Sequence, residues 1–168
     1  GATGICFIVA MGNLDFSIGS IMGFGCAVAA YAANGVGPWL APLAAVLVGG
    51  AFGIINGLIH TKLRVRALIA TMSTQMIIGG ILILMLGGTS LRAPFQMLRW
   101  NSMTLKIATL VLIVILGWMI FHKTAYGKNC RAIGSCTEAA RQSGVNIDRT
   151  KIVSFLVMGA LAGLLGFF

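Results

Sequence analysis

Apolar residues in this chain come in blocks rather than in alternation with polar ones. Six blocks can be drawn: 1–13, 17–34, 38–60, 67–88, 105–122 and 152–168. Several reach the roughly 20 residues that a helix rising about 1.5 Å per residue needs to cross a bilayer. In hydrocarbon the backbone must satisfy its own hydrogen bonds, and runs this continuous are too long for barrel strands, so they read as helices. Pro38, with its fixed φ, suits the first turn of the third helix. The expected fold is all-α, a polytopic transmembrane helical bundle of about six spans.

Small residues recur at four-residue spacing, Gly49, Gly53 and Gly57 in the third block and Gly159 and Gly163 in the sixth. Such stripes let helix backbones approach closely. Plain packing is the first reading and a face lining a gate is the second.

The interruptions between blocks carry the charge. Segment 61–66 holds Lys62, Arg64 and Arg66, and segment 123–151 holds Lys123, Lys128, Arg131, Arg141, Arg149 and Lys151. Alternating spans put both segments on one side, leaving Arg92, Arg99 and Lys106 on the other. The basic excess predicts that 61–66 and 123–151 are cytoplasmic and that 34–38 and 89–104 face outward. Charged residues make up 9% of the chain and apolar ones 58%, against about 25% charged in a soluble domain, so a globular surface is excluded. The net charge of +9 follows from loop bias and gives no reason to expect a nucleic-acid partner. Nothing reads as a signal peptide, and both ends fall inside apolar runs. Residues 1–168 are therefore expected to be one transmembrane domain, incomplete at both ends.

Candidate chemistry is sparse. Cys6, Cys26, Cys130 and Cys136 form no CxxC pair and suggest neither zinc nor disulfides. His60 and His122 fall at helix ends, where the dipole favours them, and no metal site is expected. No phosphate-binding lysine loop or nucleophile elbow is present, so the chain is not expected to be an enzyme. Asp15 is the one acid outside the long polar segment. Asp15 or Ser17 could cap the second helix, and an acid between two apolar runs also suits a solute pathway or gate. Thr71 and Thr74 could offer hydroxyls to a solute, or bond back to their own helix. In the long segment, Glu138, Ala139, Ala140 and Arg141 predict a short helix near 137–143, with Ser135 or Thr137 as cap and Gly144 as its end. So short a helix is marginal without a partner.

Three stretches bear a resemblance. Gly127, Arg131, Ala132-Ile133-Gly134, Glu138-Ala139-Ala140-Arg141, Ser143-Gly144-Val145-Asn146 and Ile147 resemble the cytoplasmic coupling segment of bacterial ABC-importer permeases for simple sugars. Gly12 through Ser20 resembles that family's "GGIDLSVGS" signature, with Asn13 in place of the second Gly. Asn56-Gly57 through Met72 follows a third family pattern, with Arg66-Ala67 where a proline and its neighbour are common and Ser73 where a glycine is common. The resemblance is to the ribose, galactose, xylose and autoinducer-2 group.

It implies a multi-pass permease subunit in the bacterial inner membrane, moving a monosaccharide or similar polar solute inward by alternating access. Its implied partners are a cytoplasmic ABC ATPase, a periplasmic or lipid-tethered sugar-binding protein and a second permease subunit, identical or sister. No cofactor is implied for this chain, ATP being used by the partner subunit. Residues 123–151 become the coupling loop, with Gly127, Arg131, Gly134, Glu138, Ala139, Ala140, Arg141 and Gly144 as the ATPase-coupling set. An ion-coupled secondary transporter is the alternative, with Asp15 as its sole candidate carrier.

Overall fold

The computed structural model describes residues 2–35, 37–87 and 102–168. These form α1 (Ala2–Ala10), α2 (Ile18–Gly35), α3 (Ala41–Lys62), α4 (Ala67–Leu86), α5 (Met103–Lys123), α6 (Ala125–Ser135), α7 (Thr137–Gln142) and α8 (Ile147–Phe167), with no strand among the described residues. Five of them, α2, α3, α4, α5 and α8, are long and apolar enough to cross a membrane. The all-α, polytopic expectation holds.

Within the first apolar run, α1 covers nine residues and ends in a turn, where the Met11 and Gly12 N–H groups donate to the Ile8 and Val9 carbonyls. Most of the expected outward loop 89–104, including Arg92 and Arg99, lies outside the described residues, as does residue 36 of the turn 34–38.

Two boundaries differ from the sequence reading. The third span starts at Ala41, so the proline in its first turn is Pro42, and Pro38 sits in the preceding turn. The last helix starts at Ile147 rather than at 152, because the Asn146 side chain accepts the Arg149 N–H at 3.1 Å and caps it. Asp148, Arg149 and Lys151 thus ride on the first turns of α8.

The centre of the bundle is the antiparallel pair α3 and α8, in contact backbone to backbone. A Cβ added at Gly159 would run into the Gly49 carbonyl, one at Gly53 into the Phe155 carbonyl, and one at Gly163 into the Ala45 carbonyl. The glycine stripes are therefore packing faces, and they face each other. Helix α2 lies over the same pair, with Gly25 against the Gly163 backbone. Ile8, Ile21, Ile78, Phe155, Met158 and Ala162 fill the core between α1, α2, α4 and α8. Helix α5 stands to one side. Gly117, which receives Thr3 of α1, is its one buried residue, and its remaining surface suits hydrocarbon.

The C-terminal ends of α1, α3 and α5 and the N-terminal ends of α2, α4 and α8 gather at one end of the bundle. His60 reaches the Val65 carbonyl there, Gly134 abuts the Ala10 carbonyl, and Tyr126 meets Ser154. The two basic segments share this end.

Candidate functional site

Between α1 and α2 the chain runs as a non-helical strap, residues 11–17, and chemistry concentrates in it. Asp15 Oδ1 accepts the Ser17 N–H at 2.7 Å, an Asx turn just ahead of α2, and the Ser17 hydroxyl at 2.6 Å. The Ser17 hydroxyl in turn accepts from the Asn56 side-chain amide of α3 at 2.8 Å. Thr71 Oγ1 on α4 accepts the Phe16 N–H at 3.3 Å. Ser17, Asn56 and Thr71 are fully buried. Asn56 lies six residues before the end of α3, so the strap sits about 9 Å above that terminus at 1.5 Å per residue. Non-helical backbone at such depth is tolerated where it is buried in protein or lines a cavity.

Asp15, Ser17 and Thr71 are thus brought together, joined by an Asn56 that the sequence reading quoted in a motif and gave no role. Thr74 stands apart, its hydroxyl donating to the Ala70 carbonyl of its own helix at 2.9 Å. Neither the Asp15 nor the Ser17 side chain takes a first-turn N–H of α2 among the described residues, the Ile21 N–H donating to the Ser17 carbonyl instead. The expected cap is replaced by the Asx turn, which leaves the Ser17 hydroxyl free to face α3.

Among the described residues, three buried polar atoms at this end have no partner: Asp15 Oδ2, Asn56 Oδ1 and His60 Nε2. His60 Nδ1 lies 2.7 Å from the Val65 carbonyl. A carbonyl can only accept, so Nδ1 carries the proton and Nε2 of the neutral ring is an acceptor. Asn56 Oδ1 and His60 Nε2 are therefore acceptors, as is Asp15 Oδ2 when the carboxyl is ionised. A cavity of about 300 Å³ at the same end is lined by Gly12, Asn13, Leu14, His60, Arg66, Ala67 and Leu68, so of the three residues only His60 borders it. With the His60 acceptor and the Arg66 guanidinium in its lining, the cavity suits a solute that both donates and accepts hydrogen bonds, such as a polyhydroxylated molecule or water.

The second candidate region is the pair α6 and α7. Thr124 caps α6 and accepts the Gly127 N–H at 3.4 Å. Phe7, Met11, Cys130, Ile133, Ala140 and Ile147 form a small core beneath it. Helix α7 ends in a Schellman motif: the Gly144 N–H donates to the Arg141 carbonyl at 3.0 Å and the Val145 N–H to the Ala140 carbonyl at 3.1 Å, with Gly144 at φ +79°.

The expected N-caps of α7 are corrected. Cys136 holds the cap position with no side-chain bond, while Ser135 and Thr137 bond back to the Ala132 and Ile133 carbonyls. The coupling set also divides. Arg131, Glu138, Ala139 and Arg141 are exposed. Ala140, 3% exposed, faces inward and anchors α7 to the body. Gly127 and Gly134 mark close approaches to the Phe121 and Ala10 carbonyls, and Gly144 forms the helix end.

Asn56, Tyr126 and Ser154 are the polar residues that sequence reasoning passed over. For Asn56 and Ser154 the signal was present, since each is a hydrogen-bonding side chain inside an apolar run.

Comparison with known proteins adds the following. The family described as branched-chain amino acid transport system, permease component, matches residues 1–168. The autoinducer 2 import system permease protein LsrC of Yersinia pestis (strain Pestoides F) is 33% identical over 174 residues, covering 98% of this chain and 49% of that protein. The protein of the same name from Enterobacter sp. (strain 638) is 32% identical, covering 98% and 50%. That from Yersinia pseudotuberculosis serotype O:3 (strain YPIII) is 31% identical, covering 98% and 49%. The chain spans about half the length of the curated relatives it matches. No solved structure matches it.

Proposed function

The chain belongs to the family of branched-chain amino acid transport system permease components, and on that premise we propose that it forms part of a permease subunit of an ATP-driven importer in the bacterial inner membrane. The solute is a monosaccharide or a similar small polyhydroxylated molecule, in keeping with the autoinducer-2 import named for the relatives. The permease hydrolyses nothing and binds no cofactor, ATP being used by a cytoplasmic ATPase. A solute-binding protein and a second permease subunit complete the assembly.

The observation that carries this reading is the pair α6–α7, a helical cap at the basic end of the bundle that presents Arg131, Glu138, Ala139 and Arg141 outward while Ala140 holds it down. That end is cytoplasmic by the basic-residue rule. A six-residue helix is too short to be stable alone. Anchored underneath and exposed above, it suits the groove of a partner. Asp15, Ser17, Thr71 and Asn56 form the gate toward the cytoplasm, with Thr74 one turn further along α4.

The test is the double variant Glu138→Lys/Arg141→Glu in the complete transporter. It should recover less ATPase on purification and import little labelled D-ribose or autoinducer 2, with the permease at normal abundance. Normal assembly and import by that variant would remove α7 from the interface. Import that collapses when an ionophore dissipates ion gradients at constant ATP would favour the ion-coupled alternative.

A further inference from the structure

Helix α6 meets the bundle through a polar junction that the gate and the exposed face of α7 leave unused. The Tyr126 hydroxyl contacts the Ser154 hydroxyl of α8 and stands 3.3 Å from the Thr150 carbonyl. Ser154, fully buried, lies 3.0 Å from the same carbonyl, 3.9 Å from Cys130 Sγ and 3.9 Å from Met11 Sδ. Groups from α6, α8 and the start of the strap converge on one serine. Burial pushes the Tyr126 phenol and the Cys130 thiol above their ordinary values, so both remain protonated and neutral.

The tyrosine ring packs on Phe7 at 5.8 Å, and Phe7 packs on Phe121 at 5.5 Å. One helical turn beyond Cys130, Gly134 abuts the Ala10 carbonyl, so α6 bears directly on the residues that lead into the strap.

We propose that the junction of Tyr126, Ser154, Cys130 and Met11 is a transmission joint that passes displacement of α6–α7 to the strap 11–17 and thereby opens and closes the Asp15–Ser17–Asn56 bridge. This rests on the reading of α6–α7 as the ATPase dock. Three features support it. Helix α8 is locked to α3 through the glycine faces, so it serves as the fixed side of the joint. The single Tyr126 proton has two acceptors in reach, the Ser154 hydroxyl and the Thr150 carbonyl, so the contact has two arrangements between which it can switch without losing a bond. Met11 lies two residues before Asn13, which lines the cavity, and four before Asp15.

The experiment uses the complete transporter in nanodiscs, with Cys6, Cys26 and Cys136 replaced by serine, buried Cys130 kept and Asn13→Cys added. Maleimide labelling of position 13 is compared without nucleotide and with ATP plus vanadate. The parent should show a rate change of about fivefold or more between the two states. Tyr126→Phe, which keeps the ring, should assemble and hydrolyse ATP within about twofold of the parent while its labelling change shrinks below about twofold. Ser154→Ala should behave likewise, Ser154→Thr should keep the response, and the Tyr126→Phe/Ser154→Ala pair should be no worse than either alone.

The proposal is overturned if Tyr126→Phe retains the full nucleotide-dependent change, or if position 13 in the parent does not respond to nucleotide. Should the parent respond while Glu138→Lys/Arg141→Glu leaves ATPase assembly and the labelling change intact, the docking reading itself fails. That result is distinct from a failure of the joint.

Discussion

The Asn56 amide and the Ser17 hydroxyl, 39 positions apart in sequence, stand 2.8 Å apart, and their direction of donation is fixed. Ser17 gives its one proton to Asp15 Oδ1, so Asn56 must donate to Ser17. A one-way chain therefore runs from α3 to the strap and ends on a carboxyl oxygen whose twin has no partner.

Asp15→Asn preserves the oxygen that accepts both Ser17 bonds and replaces the orphan acceptor with a donor. Abundance and thermal stability should stay near the parent while solute uptake falls. Asn56→Ala removes the bridge itself, and an interhelical hydrogen bond in a membrane is worth about 0.6–2 kcal/mol, so this variant should lose stability as well. Uptake assays set against melting curves in detergent separate the two. Parental uptake by Asp15→Asn would confine Asp15 to closing its turn.

The α3–α8 contact makes a sharp contrast between glycines. At Gly159 an added methyl meets the Gly49 carbonyl, and no flexible side chain can yield. Gly159→Ala should cost about 1–3 kcal/mol or more by overpacking. Gly79 on α4 has nothing within 4 Å of the same added atom. There Gly79→Ala should be neutral or stabilise by up to about 1 kcal/mol through helix propensity. Equal melting temperatures for the two alanine variants would contradict the packing described.

Arg64 occupies the left-handed region at φ 53°, in the turn between α3 and α4. A side chain there costs about 1–2 kcal/mol relative to glycine, and β-branching makes it worse. Arg64→Val should lower the melting temperature, and Arg64→Gly should hold or raise it. Both lose the same charge, and the left-handed strain has to outweigh the entropy that glycine adds to the unfolded chain for this order to be seen. The reverse order would place the turn in another conformation.

Thiol chemistry gives an independent check on the cap. Cys136 is exposed at the start of α7, whereas Cys130 is buried, and burial pushes its thiol above the ordinary range. A membrane-impermeant maleimide applied to inverted vesicles should label Cys136 within minutes and Cys130 only after denaturation. Labelling of Cys136 in intact, right-side-out cells would reverse the assigned orientation of this end.

Much of the bundle was legible in the sequence because hydrocarbon imposes a simple rule, that apolar runs of sufficient length become helices. The ends of α2 and α4 followed from it. The start of α8 did not, since residues 148–151 are polar and only the Asn146 cap shows that the helix already includes them. Helix α6 was hidden for a similar reason. Gly127, Cys130 and Ile133 mark its buried face at intervals of three, inside a stretch read chiefly for its charge and family pattern.

Contacts between distant segments left no local trace. Nothing adjacent to Asp15 says that Asn56 will reach its neighbour, and nothing adjacent to Ala140 says which way that methyl points. Glycine spacing disclosed that α3 and α8 each had a close-packing face, but not that the two faces met.

The strap also has a history during synthesis. The Phe16 N–H finds its acceptor in Thr71, 55 residues downstream, and the Ser17 hydroxyl its donor in Asn56. When α1 and α2 leave the ribosome neither partner has emerged with them, so residues 11–17 must wait at a hydrated site, at the insertion machinery or at the membrane surface. The bundle closes over them only as α3 and α4 arrive. A nascent chain arrested after α3 should leave Asn13→Cys open to a water-soluble thiol reagent, and one arrested after α4 should begin to shield it. The segment that carries Asp15 and Ser17 is thus the last part of the N-terminal hairpin to settle, because its partners arrive only with α3 and α4.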